Sequence, residues 1–182
     1  MSRLFTCWWR SAYCGIMTAT LHVIFGPSGA GKTTYSQDLA RRTPAVAFSI
    51  DDWMARLFAA DMPDPIEFEW MMQRVERCEA QIWSTAAACL AAGTSVVLDL
   101  GLMRRVDRAR VREIAEAVEL PFQFHFVTAS AEVRRARVLE RTEVKSETFS
   151  VQVTPDMFAF MEGVYEAPDA AELVGCLISE SV

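Results

Sequence analysis

The chain has 182 residues, 52% of them apolar, and a formal net charge of −6. A chain of this size forms one domain that buries roughly 70% of its unfolded surface, and its apolar content excludes a disordered polymer. The acidic balance argues against a general nucleic-acid or anionic-membrane binder, although it is compatible with a local cationic pocket.

Only Lys32 and Lys145 are lysines, the other basic residues being arginine, and there is no asparagine. The five cysteines (Cys7, Cys14, Cys78, Cys89 and Cys176) form no C-x-x-C pair and no zinc spacing. Free thiols of this kind suit a reducing cytoplasm, where we expect the protein to reside.

Residues 1–16 (MSRLFTCWWRSAYCGI) differ in character from the rest of the chain. Their apolar stretch is cut by Arg10, too short for a signal-peptide core or a membrane span. We expect a leader outside the core, with Met17 as the native start and 17–182 as a single domain.

Leu21-His22-Val23-Ile24-Phe25 reads as a buried parallel strand. It runs into Gly26-Pro27-Ser28-Gly29-Ala30-Gly31-Lys32-Thr33-Thr34, which satisfies G-x-x-x-x-G-K-[ST]. A helix is expected from Thr33 to Arg42, ahead of Pro44. In such a loop the glycines let backbone N–H groups from about Gly29 to Thr34 converge on a β-phosphate, and the helix dipole adds to the same anion. Lys32 should reach the β/γ-phosphates and the Thr33 hydroxyl should ligate Mg²⁺. The motif in this context implies that a nucleoside triphosphate binds here.

Ala45 to Ile50 reads as a second strand ending at Asp51-Asp52, followed by a short helix from Trp53 to Ala60 and a breaker, Met62-Pro63-Asp64-Pro65. Ile66 to Ala92 reads as one long amphipathic helix, its apolar face formed by Phe68, Met71, Met72, Val75, Cys78, Ile82 and Ala86. Thr94 to Asp99 is a third strand, apolar residues running into a carboxylate. That is the Walker B form, in which Asp99 holds Mg²⁺ directly or through water. A helix from about Arg104 to Val118 should carry arginine on its polar side.

Pro121 to Thr128 is a fourth strand in which His125 is expected to be a satisfied core histidine. Ala129 to Thr142 is a helix bearing Arg134, Arg135, Arg137 and Arg141. Residues from about 142 to 155 are polar and aperiodic, a candidate lid. Pro155 to Tyr165 is a short helix, and Leu173 to Ser179 a fifth strand. The alternation specifies a parallel α/β sheet with right-handed crossovers.

Three large phosphate-loop classes are excluded by what is missing. Without asparagine there is no N-K-x-D base-reading segment of a GTPase. There is no L-S-G-G-Q-like signature, and the chain after Asp99 is too short for the second helical domain of a full AAA+ motor.

The elements G-x-x-x-x-G-K-T-T, F-S-x-D, V-V-L-D-L-G, A-E-V-R-R-A-R-V and T-F-x-V-T-P-x-M-F resemble those of small bacterial AAA-type ATP-binding proteins. That group is similar to zeta toxin, chloramphenicol phosphotransferase and gluconate kinase. The resemblance spans about Leu21 to Ser179. It implies a P-loop kinase-like sheet of five parallel strands in the order 2-3-1-4-5, flanked by helices and covered by a lid. It implies an ATP- and Mg²⁺-dependent phosphotransferase acting on a small-molecule acceptor. It does not name that acceptor. The alternative is an ATP-hydrolysing switch or toxin-system component acting through a protein partner.

By the same resemblance, Asp51 in Phe48-Ser49-Ile50-Asp51 matches the aspartate that orients or deprotonates the acceptor. The physical case stands beside it, since ligands collect beyond the carboxyl ends of parallel strands. Asp52 is the rival, with capping of the Trp53 helix as its other role. Arg137 and Arg141 match the R-x-x-x-R pair that stabilises the transferring phosphoryl group, and Arg134 extends their helical face toward the nucleotide. A solvated stripe paired with Glu132 and Glu140 is the other reading. Arg105 and Arg56 are further candidates for an anionic acceptor. Nothing in the sequence specifies an oligomeric state.

Overall fold

The computed structural model describes residues 19–117, 120–143 and 155–181. The expected leader and Met17 lie outside the described residues. Five strands, β1 (Leu21–Phe25), β2 (Ala45–Ser49), β3 (Ser95–Asp99), β4 (Phe122–Thr128) and β5 (Leu177–Glu180), form one sheet. Its order is β2-β3-β1-β4-β5 and every pairing is parallel, as the resemblance implied. The register sets Ile24 beside Asp99 and His125, and Ser49 beside Asp99. The carboxyl ends of β1, β2 and β3 therefore finish level, which gathers their outgoing segments at one edge.

The helices are α1 (Lys32–Arg42), α2 (Ile50–Phe58), α3 (Phe68–Ala91), α4 (Arg105–Ala117), α5 (Ala131–Glu143) and α6 (Pro155–Val164). Side chains alternate along β1. Leu21, Val23 and Phe25 enter the larger core with Ile82, Ala86 and Leu90 of α3 and Val111 of α4. Ile24, with Val97 and Val127, faces Tyr35 and Leu39 of α1 on the other side. A strand covered on both faces is apolar over most of its length, which is why β1 and β3 read as mainly apolar runs, interrupted by His22 in β1 and ended by Asp99 in β3.

Four boundaries or faces differ from the sequence expectation. Strand β2 stops at Ser49, whose hydroxyl accepts a hydrogen bond from the Asp52 amide at 3.3 Å and caps α2. Ser49 with acidic residues two and three positions on is a good helix start, so Ile50, Asp51 and Asp52 sit in the first helical turn, and the capping role considered for Asp52 belongs to Ser49. In α3 the first turns are not core: Phe68 is 70% exposed. Twenty-four helical residues span about 36 Å, whereas a five-residue strand spans about 17 Å, so the start of α3 overhangs the sheet. Trp83 and Leu90 supply core contacts further along.

In α4, Arg108 is buried, 3% exposed, rather than on a polar face. Finally, β5 begins at Leu177 because Ala170–Gly175 forms turns. The ends of the expected lid, Thr142, Glu143 and Pro155, belong to α5 and α6, and residues 144–154 lie outside the described residues. No described helix is long and apolar enough to cross a membrane.

Candidate nucleotide site

The loop between β1 and α1 is fixed by close approach. A Cβ on Gly26 would lie 1.9 Å from the Val127 carbonyl oxygen, and one on Gly29 would lie 2.7 Å from the carbonyl of Arg134. Both positions have positive φ, so no other residue fits without moving backbone. Inside the loop the Ala30 amide donates to Pro27 O at 3.3 Å, and Lys32 Nζ donates to the same carbonyl at 3.0 Å. Gly31 precedes the first turn of α1, so the orphan amides of that helix open onto the loop.

Thr33, in the first turn of α1, donates its hydroxyl to Asp99 Oδ2 at 3.1 Å. Asp99 is 4% exposed at the end of β3. Burial pushes its carboxyl up to about 6; Lys32 and the Thr33 hydroxyl oppose this, whereas the charges of Asp51 and Asp52 add to it. One lysine and three carboxylates therefore share one field. Asp51 is exposed and Asp52 half-buried, both in the first turn of α2. Among the described residues no three His, Cys, Asp or Glu side chains converge to cage a metal. Thr33 and Asp99 offer two adjacent oxygens, a donor set that fits a hard cation drawing its remaining ligands from phosphate and water.

The arginines divide. Arg137 is half-buried, its Nη1 3.9 Å from the Cβ position of Gly31, so its guanidinium reaches the lip of the loop. Ser181 Oγ lies 4.0 Å from the same position. Sequence reasoning missed Ser181, whose only signal is its place just beyond the carboxyl end of β5. Arg141 is in the last turn of α5, its side chain outside the described part. Arg134 is a correction: it does not extend an exposed arginine face toward the nucleotide but is 7% exposed. Its Nε donates to Ala129 O at 3.1 Å and its Nη1 to Ser28 O at 3.3 Å, while both Nη atoms bind Glu162 of α6 at 2.5 and 2.8 Å.

Arg105, considered for the acceptor, pairs with Asp169 at 2.8 Å, and its amide donates to Glu166. Arg56 is exposed in the last turn of α2. Arg108, unmarked by sequence reasoning, binds both Glu172 oxygens at 2.8 and 3.1 Å and donates to Met103 O at 3.1 Å, behind the turn that comes after Asp99. His125 is a core residue as expected, with Nδ1 at 2.9 Å from Tyr35 Oη and Nε2 at 3.0 Å from His22 Nδ1.

A parallel sheet in this order, with a glycine-shaped loop leading into a helix whose threonine meets a strand-end aspartate, is the P-loop kinase-like fold. Residues 21–168 match the AAA domain family, and the chain belongs to that family. Among solved structures it is similar to a provisionally assigned kinase from Chloroflexus aurantiacus, with 20% identity and a TM-score of 0.67 over 90% of this chain and 89% of that one. A sugar kinase from Janibacter sp. shares 19% identity with a TM-score of 0.58 over 89% and 85% of the two chains. The APS kinase of Mycobacterium tuberculosis, solved with AMPPNP and APS, shares 15% identity with a TM-score of 0.58 over 90% and 89%. At these identities the likeness establishes the shared fold. No curated protein sequence matches the chain significantly.

Proposed function

We propose that this chain is an ATP- and Mg²⁺-dependent phosphotransferase that moves the γ-phosphate of ATP to a hydroxyl of a small-molecule acceptor. The observation that carries the reading is the 3.1 Å hydrogen bond between Thr33 and buried Asp99 at the mouth of the glycine-shaped loop. The loop amides from Gly29 to Thr34 and the Lys32 ammonium hold the phosphates. Thr33 and Asp99 would hold magnesium, which would supply positive charge against the nucleotide phosphates.

Asp51, close enough to influence Asp99 electrostatically, orients the acceptor hydroxyl or receives its proton, with Asp52 as the neighbouring alternative. Arg137, beside Gly31, and Arg141, one turn further along, meet the charge that spreads over the transferring phosphoryl oxygens. The sugar kinase and APS kinase among the similar structures support a small-molecule acceptor as the class.

The test is a phosphoryl-transfer assay against a metabolite panel of sugars, nucleosides, nucleotide-sugars and antibiotics, read by mass spectrometry, with Lys32→Ala as negative control. A phosphorylated product from one acceptor class, absent in the control, is expected. Slow ATP hydrolysis indifferent to every small molecule but accelerated by a protein would replace this reading with a nucleotide-dependent switch.

A further inference from the structure

Two Arg–Glu pairs, each with a buried arginine and a half-buried glutamate, flank the segment after α6, and only one of them touches the phosphate loop. Arg108 and Glu172 close on the turn after β3. Arg134 and Glu162 close on Ser28, immediately upstream of the loop amides from Gly29 onward. The fork geometry matters. Glu162 takes one hydrogen bond from each Nη, which fixes the plane of the guanidinium and leaves Nη1 aimed at the Ser28 carbonyl. The same stretch of α5 packs on Gly29 so tightly that no Cβ is accommodated there. The outer arm of the loop is thus held at Ser28 by a side chain and at Gly29 by the backbone of one residue, Arg134.

We propose that the Arg134–Glu162 pair is a positioning device for the phosphate loop, making the grip on nucleotide phosphates depend on the docking of α6 against α5. The inference rests on the phosphate-loop reading above and assigns Arg134 a place behind the loop, with no contact to nucleotide. Without Glu162 the guanidinium is a buried charge lacking its counter-charge, and its plane is no longer fixed. Ser28 then loses a charge-assisted hydrogen bond, and the amides beyond it lose their common direction.

The experiment compares Glu162→Gln and Arg134→Lys with Glu172→Gln, measuring thermal stability, mant-ADP affinity and the KM and kcat of basal ATP hydrolysis. Glutamine keeps the shape of Glu162 without its charge. Lysine keeps the charge that Glu162 needs but cannot reach Ser28 O, Ala129 O and Glu162 together. Each is expected to weaken mant-ADP binding about tenfold and to raise KM for ATP to match, with kcat within about twofold. Glu172→Gln should lose comparable stability and keep wild-type mant-ADP affinity, because its pair does not contact the loop. Unchanged affinity in both Glu162→Gln and Arg134→Lys, or an equal loss in Glu172→Gln, overturns the proposal and leaves the pair a structural tie. A wild-type chain that binds no mant-ADP overturns the phosphate-loop reading itself, and this inference with it.

Discussion

Thr33 and Asp99, 66 residues apart in the chain, meet through a 3.1 Å hydrogen bond between the first turn of α1 and the last residue of β3. Because Asp99 is buried beside two further carboxylates, its ordinary value near 3.8 is raised to about 6. The folded state therefore binds this proton more tightly than the unfolded chain. Stability is lost as pH rises from 3.8 to 6, and the full cost stands above that. A two-unit shift corresponds to about 2–3 kcal/mol. Asp99→Asn should raise the melting temperature in EDTA at pH 7.5, with the gain shrinking toward pH 4. The same variant should need more Mg²⁺ for half-maximal activity. A melting temperature unchanged at pH 7.5 would contradict the burial argument, and an unchanged Mg²⁺ requirement would remove Asp99 from the metal site.

The adjacent carboxylates of α2 separate kinase from switch. Asp51→Asn should leave ATP affinity nearly unchanged and lower turnover with the acceptor about 10²–10⁴-fold, the usual worth of a positioned general base. Asp52→Asn should cost far less, because the cap of α2 is the Ser49 hydroxyl and not the Asp52 side chain. Ser49→Ala, by contrast, should cost about 1 kcal/mol of stability. Paired ATP-binding and turnover measurements check this. Tolerance at Asp51 with loss at Asp52 would exchange their roles, and tolerance at both would favour the switch.

Two loop glycines should respond differently to a single methyl. In Gly26→Ala the new Cβ would meet the Val127 carbonyl oxygen at 1.9 Å, which backbone alone can relieve. A loss of at least about 3 kcal/mol, or failure to fold, is expected. In Gly31→Ala the nearest atoms are 3.9 Å away, so only the positive φ is strained, costing about 1–2 kcal/mol. Equal melting temperatures for the two variants would show that contact distance does not govern this loop.

Burial holds the His125 imidazole at about 4, well below its usual 6.5, with the neighbouring His22 adding to the effect, and His22 is itself lowered by burial. The unfolded chain takes up these protons first, so stability falls as pH drops from 6.5 toward 4. Replacing His125 by glutamine removes its part of that dependence while costing the bonds to Tyr35 and His22. His125→Gln should melt below wild type at pH 7.5, and the gap should narrow by pH 5. A gap that stays constant would mean that His125 takes up its proton as readily in the fold as in the unfolded chain.

The strands and the phosphate loop were legible because their signals are local. β1 reads as an apolar run broken only by His22 because α1 and α3 cover its two faces, and the loop motif carries its own geometry. Boundaries set by competition between neighbours were less so, as where Ser49 ends β2 and caps α2, so that Ile50 is helical and not the end of the strand. The apolar period of α3 continues through Phe68 although the sheet does not reach it, so periodicity there overstates burial. Least visible were the fates of the arginines. Arg134, Arg137 and Arg108 have the same charge and similar surroundings in sequence, yet the partners that separate them lie far along the chain: Arg108 finds Glu172 at a separation of 64 residues, and Arg134 reaches back 106 to Ser28.

The pairing of Arg134 with Glu162 and of Arg108 with Glu172 bears on the order in which these segments are made. All but one strand of the sheet and the whole phosphate loop have been synthesised by Thr128. Glu162 and Glu172, which neutralise Arg134 behind Ser28 and Arg108 behind Met103, are made only after all of that. A nascent chain halted after α5 would carry Arg134 behind the loop and Arg108 behind Met103, each without its counter-charge. A product that stops before Glu162 therefore carries the whole loop motif without the carboxylate that faces Arg134 behind it.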